Sequence, residues 1–330
     1  MTDGSRFRIY CGEGIKVSDR NIDVPPFEHS ERLDDPAQYI ADRPLRDAVN
    51  VALSLGQPLL VTGEPGTGKT QLAGSIAYEL ELPPPLVFHT KTTSTAKDLF
   101  YRYDALRHFH DSHFQREASD VEAYINYEAL GLAILLTMDP TVADPMLPPV
   151  YRGKGPTRSV VLIDEVDKAP RDLPNDILNE IERMSFTVNE VGKVFAADSR
   201  LRPILILTSN SEKSLPDPFL RRCVFYNIPF PEKGRLMEIV QRRLGPGMTL
   251  DREMLENALA HFEEIRSLPL RRRPATAECL SWLQVIDRMH IDVRNLRAGQ
   301  AEALALSYSV LTKSAEDSSL VRRTLIEKVR

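Results

Sequence analysis

Cysteine, tryptophan and long apolar stretches are all scarce in this chain, and each scarcity closes off a class of protein. The three cysteines, Cys11, Cys223 and Cys279, are odd in number and far apart. Neither a disulfide framework nor a thiolate metal site is indicated, and a reducing cytoplasm is the expected location. No apolar run approaches the roughly 18–20 residues of a membrane span, so no membrane partner is expected. The first eight residues, Met-Thr-Asp-Gly-Ser-Arg-Phe-Arg, lack the apolar core of a signal peptide. The charge excess is small as well. A net charge of −5 over 330 residues exerts no global pull toward nucleic acid. The single tryptophan, Trp282, sits in Cys-Leu-Ser-Trp-Leu and is expected in a core. His108, His110 and His113 suggest zinc at first sight. No second ligand cluster is near in sequence, however, and histidines two apart point to different faces of a helix, so the segment reads as a polar surface.

What is present is concentrated at residues 63–70, Gly-Glu-Pro-Gly-Thr-Gly-Lys-Thr. Gly63, Gly68, Lys69 and Thr70 complete the pattern G-x-x-x-x-G-K-S/T of a phosphate-binding loop. The flanks agree: Pro58–Thr62 is a short apolar run suited to a buried strand, and Gln71–Leu80 carries apolar residues at helical spacing. Strand, glycine loop and helix together aim backbone N–H groups and the positive end of a helix at an anion. The expected nucleotide contacts are therefore Gly63, Glu64, Pro65, Gly66, Thr67, Gly68, Lys69, Thr70 and Gln71. Lys69 would reach the β- and γ-phosphates of ATP, and the Thr70 hydroxyl would hold Mg²⁺.

The rest of the chain alternates strands and helices from Pro58 to about Pro229. Strands are expected at 85–90, 159–164, 203–208 and 224–228. Their near-continuous apolar runs are those of a parallel sheet covered by helices on both faces. Helices are expected after Pro44 to Leu55, from Leu173 to Met184 and around 127–136. A short strand is expected at 6–10 within an N-terminal extension, 1–38. Residues 101–127, polar and aromatic, and 186–196, a hairpin pattern, interrupt the alternation as insertions. Beyond Pro231 the pattern is all helical, at 232–244, 251–266, 276–289 and 298–312, as in a separate domain.

The apolar strand Val160–Ile163 ends in Asp164 and Glu165, placing one carboxylate to hold Mg²⁺ and the next to polarise an attacking water. The strand at 203–208 runs into Ser209-Asn210. Asn210 is read either as the residue that holds that water or as an ordinary turn asparagine. Arg221 and Arg222 end a short helix before Cys223. They either satisfy the helix terminus or supply an arginine finger to the γ-phosphate of a neighbouring subunit.

In this order, the four elements resemble AAA+ ATPases, and the closer resemblance is to the MoxR family. It is carried by Leu-Leu-Val-Thr-Gly-Glu-Pro-Gly-Thr-Gly-Lys-Thr (59–70), Val-Leu-Ile-Asp-Glu-Val-Asp-Lys-Ala (161–169), Leu-Pro-Asn-Asp-Ile-Leu-Asn-Glu-Ile-Glu (173–182) and Phe-Leu-Arg-Arg-Cys (219–223). The resemblance implies an α/β AAA+ P-loop domain at 39–230, with a parallel five-stranded sheet in the order 5-1-4-3-2, and a small all-helical lid at 231–330. It makes Asn210 the sensor 1 residue and Arg222, with Arg221 as alternative, the finger. Arg273, among Arg271, Arg272 and Arg273, becomes the sensor 2 residue, although the Gly-Ala-Ser-Pro-Arg form common in that family is absent. Tyr39 and Ile40 fall where such proteins contact adenine; ordinary core packing is the other reading. The implied activity is Mg-ATP hydrolysis in a ring, expected to be a hexamer, that remodels a protein client, often through a von Willebrand A-type partner. Other readings are a nucleotide-gated assembly or signalling switch, as in defence against phage, and a nucleic-acid motor. The negative charge and the lack of a winged-helix or basic C-terminal domain argue against the motor. Glu165, Asn210 and the arginine pair argue against a simple P-loop kinase.

Overall fold

The computed structural model describes residues 10, 12, 14–16, 35–114, 120–211, 215–296 and 300–326. The strand expected at 6–10 lies outside these residues apart from Tyr10. The chain divides into two units. One comprises Ala41–Glu64 and Lys69–Pro229, and the other Met1–Ile40, Pro65–Gly68 and Phe230–Arg330.

Among the described residues the first unit has nine strands: β1 (Leu59–Gly63), β2 (Leu86–His89), β3 (Tyr101–Tyr103), β4 (Ile125–Tyr127), β5 (Val160–Asp164), β6 (Ser185–Val188), β7 (Lys193–Ala196), β8 (Ile204–Thr208) and β9 (Val224–Ile228). Five of them form one parallel sheet in the order β2-β5-β8-β1-β9. Counting only these five strands along the chain, that is the expected order 5-1-4-3-2. Every residue of β1 and β5 is buried, so both faces of the sheet are covered at its middle, as their unbroken apolar runs require. β9, at one edge, alternates half-buried and exposed.

The helix Arg43–Leu55 starts where Asp42 accepts a hydrogen bond from the Leu45 N–H at 2.9 Å. It ends at Gly56, whose left-handed backbone suits a residue without Cβ. The helix Lys69–Glu79 buries Leu72, Ala73, Ile76 and Ala77. The single helix expected from Leu173 to Met184 is two short ones, Leu173–Asp176 and Leu178–Arg183, broken at Ile177. Asn175 and Asp176, whose short polar side chains compete with helical backbone bonding, sit just before that break. The guanidinium of Arg202 ties this region together. It donates to the carbonyls of Gly56 (3.0 Å), Ile181 (3.0 Å) and Glu182 (3.1 Å).

The two interruptions share one core. β3 pairs antiparallel with β4, and β6 with β7. Phe186 of the hairpin stacks on Phe100 at 5.1 Å and lies 5.3 Å from Phe195, while Tyr127 meets Phe195 edge-on at 5.9 Å. Gly131, in the helix Ala129–Leu135, lets the chain approach closely: a Cβ there would fall 2.0 Å from the Phe100 carbonyl oxygen.

The second unit contains helices Lys233–Leu244, Arg252–Ser267, Thr276–Arg288, Gln300–Ser307 and Ala315–Ile326. The helix expected at 298–312 is therefore shorter; residues 297–299 are outside those described. Leu236, Phe262, Trp282, Leu283 and Tyr308 form the centre of its core. Trp282 donates its indole N–H to Ser307 Oγ at 2.8 Å, and Asp287 Oδ1 accepts from the N–H groups of Thr249 and Leu250 and from the Thr249 hydroxyl. Among the described residues no helix is long and apolar enough to cross a membrane.

Candidate nucleotide site

β1 and β5 run parallel with β8 between them, so their C-terminal ends open toward the same edge of the sheet. Ligands of open parallel sheets bind at that edge. β1 delivers Gly63 (φ +146°), and the loop continues through Gly66 (φ +78°) and Gly68 (φ +88°), conformations that side chains with a Cβ rarely adopt. Pro65–Gly68 group with the helical unit, whereas Gly63, Glu64, Lys69, Thr70 and Gln71 belong to the α/β unit.

Lys69 begins its helix with only 8% of its surface exposed. Its ammonium donates to the carbonyls of Gly63 (2.7 Å) and Glu64 (3.0 Å) and to Asn210 Oδ1 (3.1 Å). Burial lowers its pKa below the usual lysine value, against the opposing pull of Asp167, Asp164 and Glu165. The next residue, Thr70, donates its hydroxyl to Asp164 Oδ1 at 3.1 Å. A hydroxyl beside a carboxylate, at the start of a helix and next to a buried cation, is an oxygen donor set suited to Mg²⁺ carried by phosphates.

Asp164 is 9% exposed and accepts a second hydroxyl, that of Thr208, at 2.6 Å. Across the sheet, His89 of β2 is in register with it, its Nδ1 3.6 Å from Asp164 Oδ2. Glu165 follows in the left-handed region, φ +56° and ψ +49°. Its N–H donates to Thr208 Oγ1 at 2.9 Å, and its carboxylate is hydrogen-bonded by the ammonium of Lys168. That bond raises the pKa of Lys168. Asn210 is tied to the same turn, its N–H 3.3 Å from Asp167 Oδ1.

Lys69 is thus bonded to Asn210 and the adjoining Thr70 to Asp164, and Thr208 links Asp164 to the N–H of Glu165. Arg222 is placed elsewhere in the α/β unit. Its guanidinium pairs with Glu182 at the end of the helix Leu178–Arg183, and Nη1 lies 3.4 Å from the Pro218 carbonyl. Tyr39, Ile40 and Arg273 belong to the helical unit. Tyr39 and Ile40 are half-buried after the turn Pro36–Gln38. Arg271 is engaged with Glu316 at 3.7 Å and through its N–H with Asp317, while Arg273 is exposed. His108 packs on Tyr124 and bonds to Tyr103, and no cluster of three or more metal-ligating side chains occurs among the described residues.

Sequence reasoning missed Thr208, His89, Asp167, Lys168 and Glu182. Asp167 and Lys168 stand in the string 161–169 and could have been found from their three-residue spacing to Asp164 and Glu165. The others meet their partners only through the sheet and helix packing.

Glycine loop, buried lysine, and hydroxyl and carboxylate at adjacent strand ends in the order β2-β5-β8-β1-β9 define a P-loop nucleotide-binding fold of the AAA+ class. Residues 58–223 match the model of the AAA domain (dynein-related subfamily), half of the chain, and the chain belongs to that family. Similar solved structures include a mutant of RuvB from Thermotoga maritima, at 16% identity, a TM-score of 0.48, and coverage of 84% of this chain and 72% of that one. A second mutant of the same protein matches at 16% identity and a TM-score of 0.45, over 81% of this chain and 67% of that one. No curated protein matches the chain in sequence.

Proposed function

We propose that this chain hydrolyses ATP as one subunit of a ring, in the manner of MoxR-type AAA+ ATPases, and uses the cycle to remodel a protein client or partner. The observation that supports this most is the joined set Lys69–Asn210 and Thr70–Asp164 at the ends of neighbouring strands. Lys69 binds the phosphate chain as a buried cation. Thr70 and Asp164 would hold Mg²⁺, which when bound neutralises phosphate charge. Asn210, already against Lys69, orients the attacking water. Glu165 accepts its proton once Lys168 has released the carboxylate. Arg222, freed from Glu182, reaches the γ-phosphate bound by the adjoining subunit. Arg273, Tyr39 and Ile40 are assigned to nucleotide contact in the same reading, with the helical unit, 231–330, acting as the lid. Hexameric assembly and a von Willebrand A-type partner follow from the MoxR resemblance.

The test is ATP turnover per subunit against protein concentration, with particle size measured at each point. Turnover that rises steeply as the ring forms is expected. Glu165→Gln should bind ATP and fail to release phosphate, and Arg222→Ala should bind ATP but lose about 10³-fold or more in rate. Mixing the two variants should restore turnover at interfaces that pair an intact Glu165 with an intact Arg222. Wild-type rates in Glu165→Gln would refute its role as base.

A second reading is favoured by the pairing of Glu165 with Lys168 and of Arg222 with Glu182. Both groups needed for hydrolysis are held within the subunit, as suits a nucleotide-gated assembly switch that turns over only when a partner releases them. A rate near zero for the assembled ring, rising on addition of a protein partner, would select it.

A further inference from the structure

We infer that Thr208 is a positioning residue of the ATPase site, setting the Asp164 carboxylate and the Glu165 backbone with one hydroxyl. The inference rests on the hydrolytic reading above. β8 lies between β5 and β1, so its C-terminal residue stands beside the ends of both strands that carry the site. Thr208 is that residue, and it is 1% exposed. A hydroxyl has one proton to give and lone pairs to accept with. Here it donates to Asp164 Oδ1 at 2.6 Å and accepts from the Glu165 N–H at 2.9 Å.

Two consequences follow. Asp164 Oδ1 takes hydroxyls from both Thr70 and Thr208, which fixes the plane of the carboxylate and therefore the direction of its remaining oxygen. Glu165 sits at φ +56°, a conformation that a residue with a Cβ holds only when its surroundings impose it. The bond from its N–H to Thr208 is one such constraint, and it determines where the side chain of the base departs from the backbone. A valine at this position would fit the strand and keep the shape while removing both bonds. A serine would keep the hydroxyl.

The test compares Thr208→Val and Thr208→Ser with wild type in kcat, in the Mg²⁺ concentration for half-maximal rate, and in the affinity for ATP with and without Mg²⁺. For Thr208→Val we expect kcat to fall about 10–100-fold and the Mg²⁺ requirement to rise about tenfold, as when partners of metal ligands are removed. Affinity for ATP in EDTA should stay within about twofold of wild type. Thr208→Ser should restore kcat to within about threefold of wild type, which a packing role for the side chain would not produce. A Thr208→Val protein with wild-type kcat and Mg²⁺ dependence would overturn the inference. So would a Thr208→Ser protein as impaired as the valine variant. If the wild-type chain binds ATP but does not turn it over, the hydrolytic reading fails by itself. The tightening of ATP binding by Mg²⁺ then decides: its loss in Thr208→Val supports the positioning role, and its persistence refutes it.

Discussion

Three buried polar side chains of the α/β unit lie at the end of its sheet: Thr208 bonds Asp164, and Lys69 bonds Asn210 and two loop carbonyls. Two in the helical unit, Asp287 and Ser307, serve a loop backbone and a tryptophan inside an apolar core. Desolvating a polar group is costly in either setting unless its bonds are made. In the helical unit the bonds made are fixed ones, among backbone and core side chains. In the α/β unit the partners of Lys69 are two loop carbonyls and an amide oxygen, which phosphate oxygens can replace. In the proposed function an anion takes over those bonds, so the cost of burying the cation falls on the residues assigned to binding. The contrast between these two sets is one of replaceable partners against fixed ones.

Three measurements would break or sharpen that contrast. The largest effect is expected from Trp282→Ala, which empties the centre of the helical core and should cost about 3–5 kcal/mol in chemical unfolding of that unit. A loss below about 1 kcal/mol would mean that this core is not the scaffold described. Next is Lys69→Ala. It should weaken ATP binding at least about 100-fold, about 2.7 kcal/mol, while shifting unfolding by no more than about 1 kcal/mol. A large loss of stability would make Lys69 part of the scaffold instead. The smallest effect concerns His261, half-buried in the helical unit with its Nε2 2.7 Å from the Tyr308 hydroxyl. Burial lowers its pKa, against the pull of Glu264, and raises that of Tyr308. The unfolded chain therefore binds a proton more readily than the folded one, and stability is lost as pH falls below the ordinary histidine range near about 6.5. Unfolding midpoints at pH 7.5 and pH 5 should show that loss in wild type and a smaller one in His261→Gln. An equal loss in both would remove His261 from the account.

How far the molecule was legible follows the same division. The strands of the sheet were readable because Leu, Ile and Val runs between Pro, Gly and polar breaks have one physical solution when both faces are covered. The binding loop was readable because its chemistry is local: Gly63 to Thr70 form one uninterrupted segment. Thr208, His89 and Glu182 were not, since each matters through a residue on another strand or helix. His89 meets Asp164 only because β2 and β5 are in register, and Thr208 stands in a strand where a β-branched residue needs no explanation. The helix at 173–184 was read as continuous because its apolar spacing persists across Ile177. The break there is one of backbone conformation, φ −87° and ψ −5°, which periodicity does not report.

Arg202 gives β8 a mechanical character. The strand is five residues long, about 16 Å at the usual rise. Just before it, one guanidinium grips two carbonyls of one helix and that of Gly56, which caps another; at its far end, one hydroxyl holds the Asp164 carboxylate and the Glu165 N–H. A strand pinned at both ends behaves as a rod. The helix that ends at Arg183 also carries Glu182, so the ion pair of Arg222 and the fastening made by Arg202 share one short helix. Any displacement of that helix must break the bonds of Arg202 to Ile181 and Glu182 or carry Arg202, two residues before the strand, along with it.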